Sequence, residues 1–214
     1  MSYTVLKISD GILWILNKMK YFIDLGAYNG DTIKKALSFY KGYDYFIGFE
    51  PEKKLYKKAI KIFKNKKKVI IHRQAVDIQD GRRKLFLNRI VLKSGEKGVG
   101  EGSSLSIRKK TGNINKKRFE EVKTINFSKY ILNKFLPEDF IVLKIDIEGW
   151  EYRVLRHMIK TGAIRLINKI YCEWHYKKIG LPLSRHLMVV NQLREIGFLI
   201  KGENPLDDFD KMVK

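Results

Sequence analysis

FIVLKIDIEGWEYRVL, residues 140–155, packs six apolar residues into its first eight positions, yet it seats Lys144, Asp146 and Glu148 at every second position towards the end of that run. The apolar part reads as a buried strand. Side chains two apart on a strand share a face, so these charges line one side near its carboxyl end. Gly149 breaks the run. Residues 151–160 then carry Val154, Leu155 and Met158 at helical spacing. Stability alone does not call for three charges at a strand end. In an open α/β sheet that end is where ligands bind.

Outward from this stretch, strand-like and helix-like runs alternate. Strands are predicted over 21–26, 43–50, 69–76, 140–147, 166–175 and 198–201. Helices are predicted over 31–40, 52–64, 151–160 and 183–196, the second with Leu55, Ala59, Ile62 and Phe63 on one face. The alternation predicts an α/β fold, doubly wound, with a mostly parallel Rossmann-like sheet and helices on both faces. The middle departs from the pattern. Residues 84–91 and 120–125 look like strands flanking a long Gly- and Ser-rich loop, 93–118, which reads as a lid or acceptor wall with basic clusters at 108–110 and 116–118. Residues 1–20 read as a leading helical segment, with the helix itself over 9–19. Residues 21–203 read as one domain and 204–214 as a polar tail.

A chain of 214 residues suits one α/β domain. No apolar run reaches the roughly 18 residues of a transmembrane segment, and the N-terminus lacks the form of a signal peptide. Cys172 is the single cysteine, which excludes an internal disulfide and a multi-cysteine zinc site and fits a cytoplasmic location. The histidines, at 72, 157, 175 and 186, lack a metal-binding spacing; Asp146 and Glu148 could take a metal, but nothing specific calls for one, so none is assigned. The net charge of +21 raises nucleic acid as a partner. Against it, 33 Lys stand beside 11 Arg, and arginine is the better reader of bases and phosphates.

Three strand ends in order carry nucleotide-site chemistry. The first is Asp24-Leu-Gly26-Ala27-Tyr-Asn29-Gly30, where glycine lets the backbone approach a ligand. Its G-x-x-x-G spacing is not the dinucleotide fingerprint, which counts against NAD. The second is Gly48-Phe-Glu50-Pro51, where an acid accepts from both ribose hydroxyls. The third, Gln74-Ala-Val76-Asp77, offers an acid to an adenine amino group. Asp24 is placed for an amine or a sulfonium, and S-adenosyl-L-methionine has both.

With FIDLGAYNGD (22–31), GFEP (48–51), AVDIQDG (75–81), GSSL (102–105), LKIDIEGWEYRVL (143–155) and YCEWH (171–175), the chain resembles the FkbM family of S-adenosylmethionine-dependent methyltransferases. The resemblance implies a seven-stranded sheet of the class I methyltransferase type and transfer of a methyl group, usually to oxygen. By position it implies that Asp24, Gly26, Ala27, Asn29, Gly30, Glu50, Pro51, Val76 and Asp77 hold the cofactor. Lys144, Asp146, Glu148, Glu173 and His175 would line the acceptor side. Asp146, Glu173 and His175 are candidates for the base, and histidine has a convenient unperturbed pKa near 6.5. The implied acceptor is a sugar, glycolipid or other small hydroxyl compound. The alternatives are RNA ribose 2'-O-methylation and a non-catalytic nucleotide- or nucleic-acid-binding module.

Overall fold

The structure, a computed structural model, describes residues 3–8, 11–16, 18–91, 97–99, 102–111 and 114–200. The chain begins with β1 (Tyr3–Ile8) and β2 (Gly11–Leu16), an antiparallel pair with Tyr3 opposite Leu16 and Ile8 opposite Gly11. This corrects the helix expected over 9–19. A short, wholly apolar run has no periodicity to separate helix from strand. The Asp10-Gly11 pair and the β-formers Tyr3, Thr4 and Val5 upstream are hairpin signals.

Next come β3 (Lys20–Leu25), α1 (Asp31–Phe39), β4 (Tyr45–Phe49), α2 (Lys53–Ile62) and β5 (Val69–His72). They are followed by β6 (Ala75–Asp77), β7 (Gly81–Val91), β8 (Lys97–Val99), β9 (Ile114–Asn126) and α3 (Phe127–Lys134). The last elements are β10 (Phe140–Ile145), α4 (Glu151–Thr161), a 3-10 turn (Ala163–Leu166), β11 (Lys169–Cys172) and α5 (Leu183–Glu195).

The central sheet has the order β11-β10-β3-β4-β5, and every pair is parallel. Alternate residues face opposite layers. Ile23, Ile47, Ile141, Leu143 and Ile170 pack with α3, α4 and α5 in one buried cluster. Phe22, Phe46, Val142 and Tyr171 pack with α1 in the other. The doubly wound α/β expectation holds. Among the described residues the sheet has five strands, not seven; β1 and β2 pair with each other, and the other strands form a second sheet of order β6-β9-β7-β8.

That second sheet brings two more corrections. The strand expected over 69–76 is two strands, one in each sheet, with Arg73 at the crossing and ion-paired to Glu120 of β9 at 2.7 Å. The loop expected over 93–118 is partly strand. β8 pairs back on β7, and β9 begins at Ile114, so Lys116, Lys117 and Arg118 lie on a strand. The sequence reading also lacks α3, which is short; Asn126 caps it by accepting from the Lys129 N–H at 3.1 Å. Residues 198–200 are not in a strand. Lys201 and the tail expected over 204–214 lie outside the described residues. Among those described, no helix is long and apolar enough to cross a membrane.

Candidate active site

The chain lays down β3, β4 and β5 towards one edge, then β10 and β11 towards the other. The order reverses between β3 and β10, and a crevice opens at their carboxyl ends. A cavity of about 320 Å³ lies there, within the range of small-molecule sites. Of the residues expected to bind cofactor, Gly26, Ala27, Asn29, Glu50, Pro51 and Val76 line it. Of those expected on the acceptor side, Lys144, Asp146, Glu148 and Glu173 line it, and His175 lies behind them, buried.

The turn after β3 is held tightly. The Gly26 and Ala27 N–H groups both donate to the Phe49 carbonyl, at 3.1 and 3.0 Å. Gly26 has φ +85°, and a Cβ there would collide with the Asp146 carbonyl oxygen. The close approach that requires glycine is therefore between β3 and β10. Gly26→Ala is expected to lose about 3 kcal/mol and about 6–12 °C of melting temperature, checked by thermal unfolding. Gly30 lies off the cavity; it caps α1 with φ +95°, against the Phe63 ring.

Glu50 is buried on the cavity wall. Its Oε2 accepts from the Tyr28 N–H at 2.9 Å and its Oε1 from the Glu52 N–H at 2.8 Å. Burial pushes its pKa up to about 8, against the pull of those two N–H groups. Asp77, expected to face an adenine, does not line the cavity. Its buried carboxylate accepts from Trp150 Nε1 at 3.0 Å, from Arg153 Nε at 3.3 Å and from Arg83. It ties β6 to the start of α4 and to β7.

Strand register puts Lys144 beside Asp24. Both are buried, and Lys144 Nζ lies 3.1 Å from Asp24 Oδ1 and 3.5 Å from Asp146 Oδ2. It also donates to the Gly26 carbonyl at 3.3 Å. Burial alone would lower the Lys144 pKa, but the two carboxylates raise it, so the ammonium stays charged. Asp24 thus sits beneath the cavity rather than on its wall, paired to Lys144.

At the acceptor end, His175 meets carboxylates from three directions. Its Nε2 lies 3.0 Å from Glu173 Oε1, 3.4 Å from Glu148 Oε2 and 3.7 Å from Asp146 Oδ1. Its Nδ1 lies 3.4 Å from Glu151 Oε1. Neither ring nitrogen is aligned for a directed hydrogen bond, so these contacts are electrostatic. Burial would lower the imidazole pKa, but Glu151 and Glu173 reverse this and push it up to about 10. His175 is then cationic at neutral pH and has no free site for a proton. In turn its contact, reinforced by Lys178, holds the Glu173 carboxyl down at about 2, a weak base. Asp146 is different. Partial burial raises its pKa above the usual carboxylate range despite Lys144.

The middle segment closes this end. Gly102, Ser103 and Leu105, from the expected loop, line the cavity. Ser104 Oγ donates to the Glu148 carbonyl at 2.7 Å, and Lys109 Nζ donates to Glu148 Oε2 at 2.7 Å. Lys109 is one of 33 lysines, so nothing in the sequence marked it. Glu151 was legible only as a helix-start acid. It is fully buried, accepting from the Gly149 N–H at 2.8 Å and the His175 N–H at 2.9 Å. Asp146, Glu148 and His175 each offer a donor atom, all within 4.8 Å of one another.

A family model described as the methyltransferase FkbM domain matches residues 24–200. No curated protein matches the chain. A similar solved structure is the methyltransferase FkbM from Methylobacillus flagellatus KT, at 13% identity and a TM-score of 0.48. The match covers 79% of this chain and 37% of that one, so the chain spans well under half of that protein's length. By the family match over most of its length, the chain belongs to the FkbM methyltransferase family.

Proposed function

We propose that the chain is an S-adenosyl-L-methionine-dependent methyltransferase acting on a hydroxyl of a sugar, glycolipid or other small acceptor. The observation that carries this reading is one cavity with two chemistries. Gly26, Ala27, Asn29 and Glu50 line it together with the acids Asp146, Glu148 and Glu173. The residues fit the cofactor. Glu50 offers a carboxylate to ribose hydroxyls at the end of the second parallel strand, and Val76 and Leu85 add apolar wall for a base.

When bound, the cofactor supplies an electrophilic methyl group on its sulfonium. The chain's part is alignment, exclusion of water and removal of one proton. Asp146, with its raised pKa, would take the proton of the acceptor hydroxyl. Cationic His175 and Lys144 hold the carboxylates in place.

The test is calorimetric titration with S-adenosyl-L-methionine, then turnover over a panel of sugars, glycolipids and RNA. Binding is expected in wild type and about 10–100-fold weaker in Glu50→Ala, from two lost bonds to a charged acceptor. No binding in wild type sinks the reading, and turnover on RNA alone moves the acceptor class. A pH dependence follows from Glu50. With a pKa near 8 it is largely protonated at pH 7. Hydroxyl donors favour the ionised form, so binding releases a proton. Affinity is expected to rise with pH and level off above about 8, and to be flat in Glu50→Gln. Calorimetry in buffers of different ionisation enthalpy checks the proton release.

A further inference from the structure

We infer that Asp146, Glu148 and His175 form a divalent-cation site at the acceptor end of the cavity, suited to a first-row transition ion such as Mn2+. The sequence alone allows a metal at Asp146 and Glu148 but calls for none, because the histidine that completes the set follows a different strand.

The first observation is convergence. Three donor atoms from two elements meet within 4.8 Å, and Glu173 Oε1, 3.0 Å from the imidazole Nε2, stands by as a fourth. The second is the state of the histidine ring itself. His175 is 1% exposed, and both its ring nitrogens lack a hydrogen-bond partner. A buried imidazole in that state is costly unless something else takes its lone pair or its protons. Its Nε2 points into the carboxylate group. The separations from Nε2, 3.0 to 3.7 Å, also suit coordination. Neighbouring donors around an ion with bonds of about 2.1 Å stand about 3 Å apart.

The surroundings have the form of a ligand histidine's support. Metal-binding imidazoles commonly turn their other nitrogen to a carboxylate or carbonyl, which fixes the ring. Nδ1 faces Glu151 Oε1 at 3.4 Å, and the same oxygen accepts the His175 N–H at 2.9 Å. Asp146 offers Oδ1 to the site and keeps Oδ2 towards Lys144. Lys109 and Lys178 share Glu148 Oε2, at 2.7 and 3.7 Å. In the ion-free chain these ammonium groups and the imidazolium supply the positive charge that a cation would bring. One nitrogen among oxygens favours Mn2+, Fe2+ or Zn2+ over Mg2+ or Ca2+, which prefer oxygen alone. Ion binding displaces the Nε2 proton of His175 and takes Asp146 Oδ1, leaving Oδ2 for a proton. The use of the ion, to orient an acceptor oxygen and lower its pKa, rests on the methyl-transfer reading, and its binding does not.

The experiment titrates Mn2+ into the chelator-stripped full chain and follows loss of the free-ion electron paramagnetic resonance signal. One site per chain is expected, with Asp146→Asn and Glu148→Gln each weakening it about tenfold or more. Circular dichroism identifies folded variants, and the wild-type titration decides the matter if neither folds. No saturation up to about 1 mM, or unchanged affinity in both folded variants, overturns the site. The same samples are titrated with S-adenosyl-L-methionine. Cofactor binding without Mn2+ binding overturns the site alone; Mn2+ binding without cofactor binding overturns the methyl-transfer reading alone.

Discussion

Asp146→Asn is expected to lower turnover about 10²–10⁴-fold, the usual worth of a positioned acid–base group, while cofactor affinity stays within about twofold. Three acceptor-side residues compete for the proton, and their surroundings separate them. His175 already holds a proton, pushed up to about 10 by carboxylates on several sides. Glu173 is held down at about 2 by His175, so it gives up its proton too readily to act as a base. Asp146 alone is raised and on the cavity wall, with 28% of its side chain exposed. Asparagine keeps its shape and removes its basicity. The expected pattern is a fall in kcat with little change in the cofactor Kd, measured by steady-state kinetics and calorimetry. Full turnover in Asp146→Asn, with Glu173→Gln inactive, moves the role to Glu173.

Much of this site was legible because buried parallel strands leave a clear period. FIVLKI and YFIDL place Lys144 and Asp24 on one face, and the pairing of β10 with β3 sets them side by side. Glu50 was singled out the same way, as the acid ending an apolar strand, and it lies on the cavity wall. The failures have physical causes. β7 and β9 were legible as strands over 84–91 and 120–125, where Leu85, Leu87 and Val122 are buried, but the start of β9 at Ile114 was not, because the charges of NKKRFEE leave no apolar period there. Asp77 looked like a ligand because no sequence signal marks Trp150, Arg153 and Arg83 as its partners. The ordinary histidine pKa made His175 a base on paper. Carboxylates from the β10–α4 turn and the end of β11 reverse that, and their convergence depends on tertiary structure.

Lys144→Met is expected to be among the most destabilising single changes in the chain, by about 3–5 kcal/mol near neutral pH. Methionine fills a similar volume, so packing is nearly kept and the effect isolates charge. Asp24 is fully buried, and Lys144 is its ion-pair partner at 3.1 Å. Even with that partner, burial outweighs the ion pair and holds the Asp24 pKa at about 6, above the ordinary 3.8. A folded-state pKa above the unfolded one means that the protonated form favours folding. That stabilisation is complete below the unfolded pKa and is lost as pH rises through the folded one. Without Lys144 the folded value climbs further and the loss widens. Lys144→Met is therefore expected to lie near wild type at about pH 4 and far below it at about pH 8. The double variant Asp24→Asn/Lys144→Met removes both charges and is expected to recover at least about 2 kcal/mol over Lys144→Met alone. Urea unfolding at the two pH values measures all three chains. If the double variant is no more stable than Lys144→Met, the ammonium stabilises the fold through its contacts with Gly26 and Asp146, and Asp24 is not its main partner.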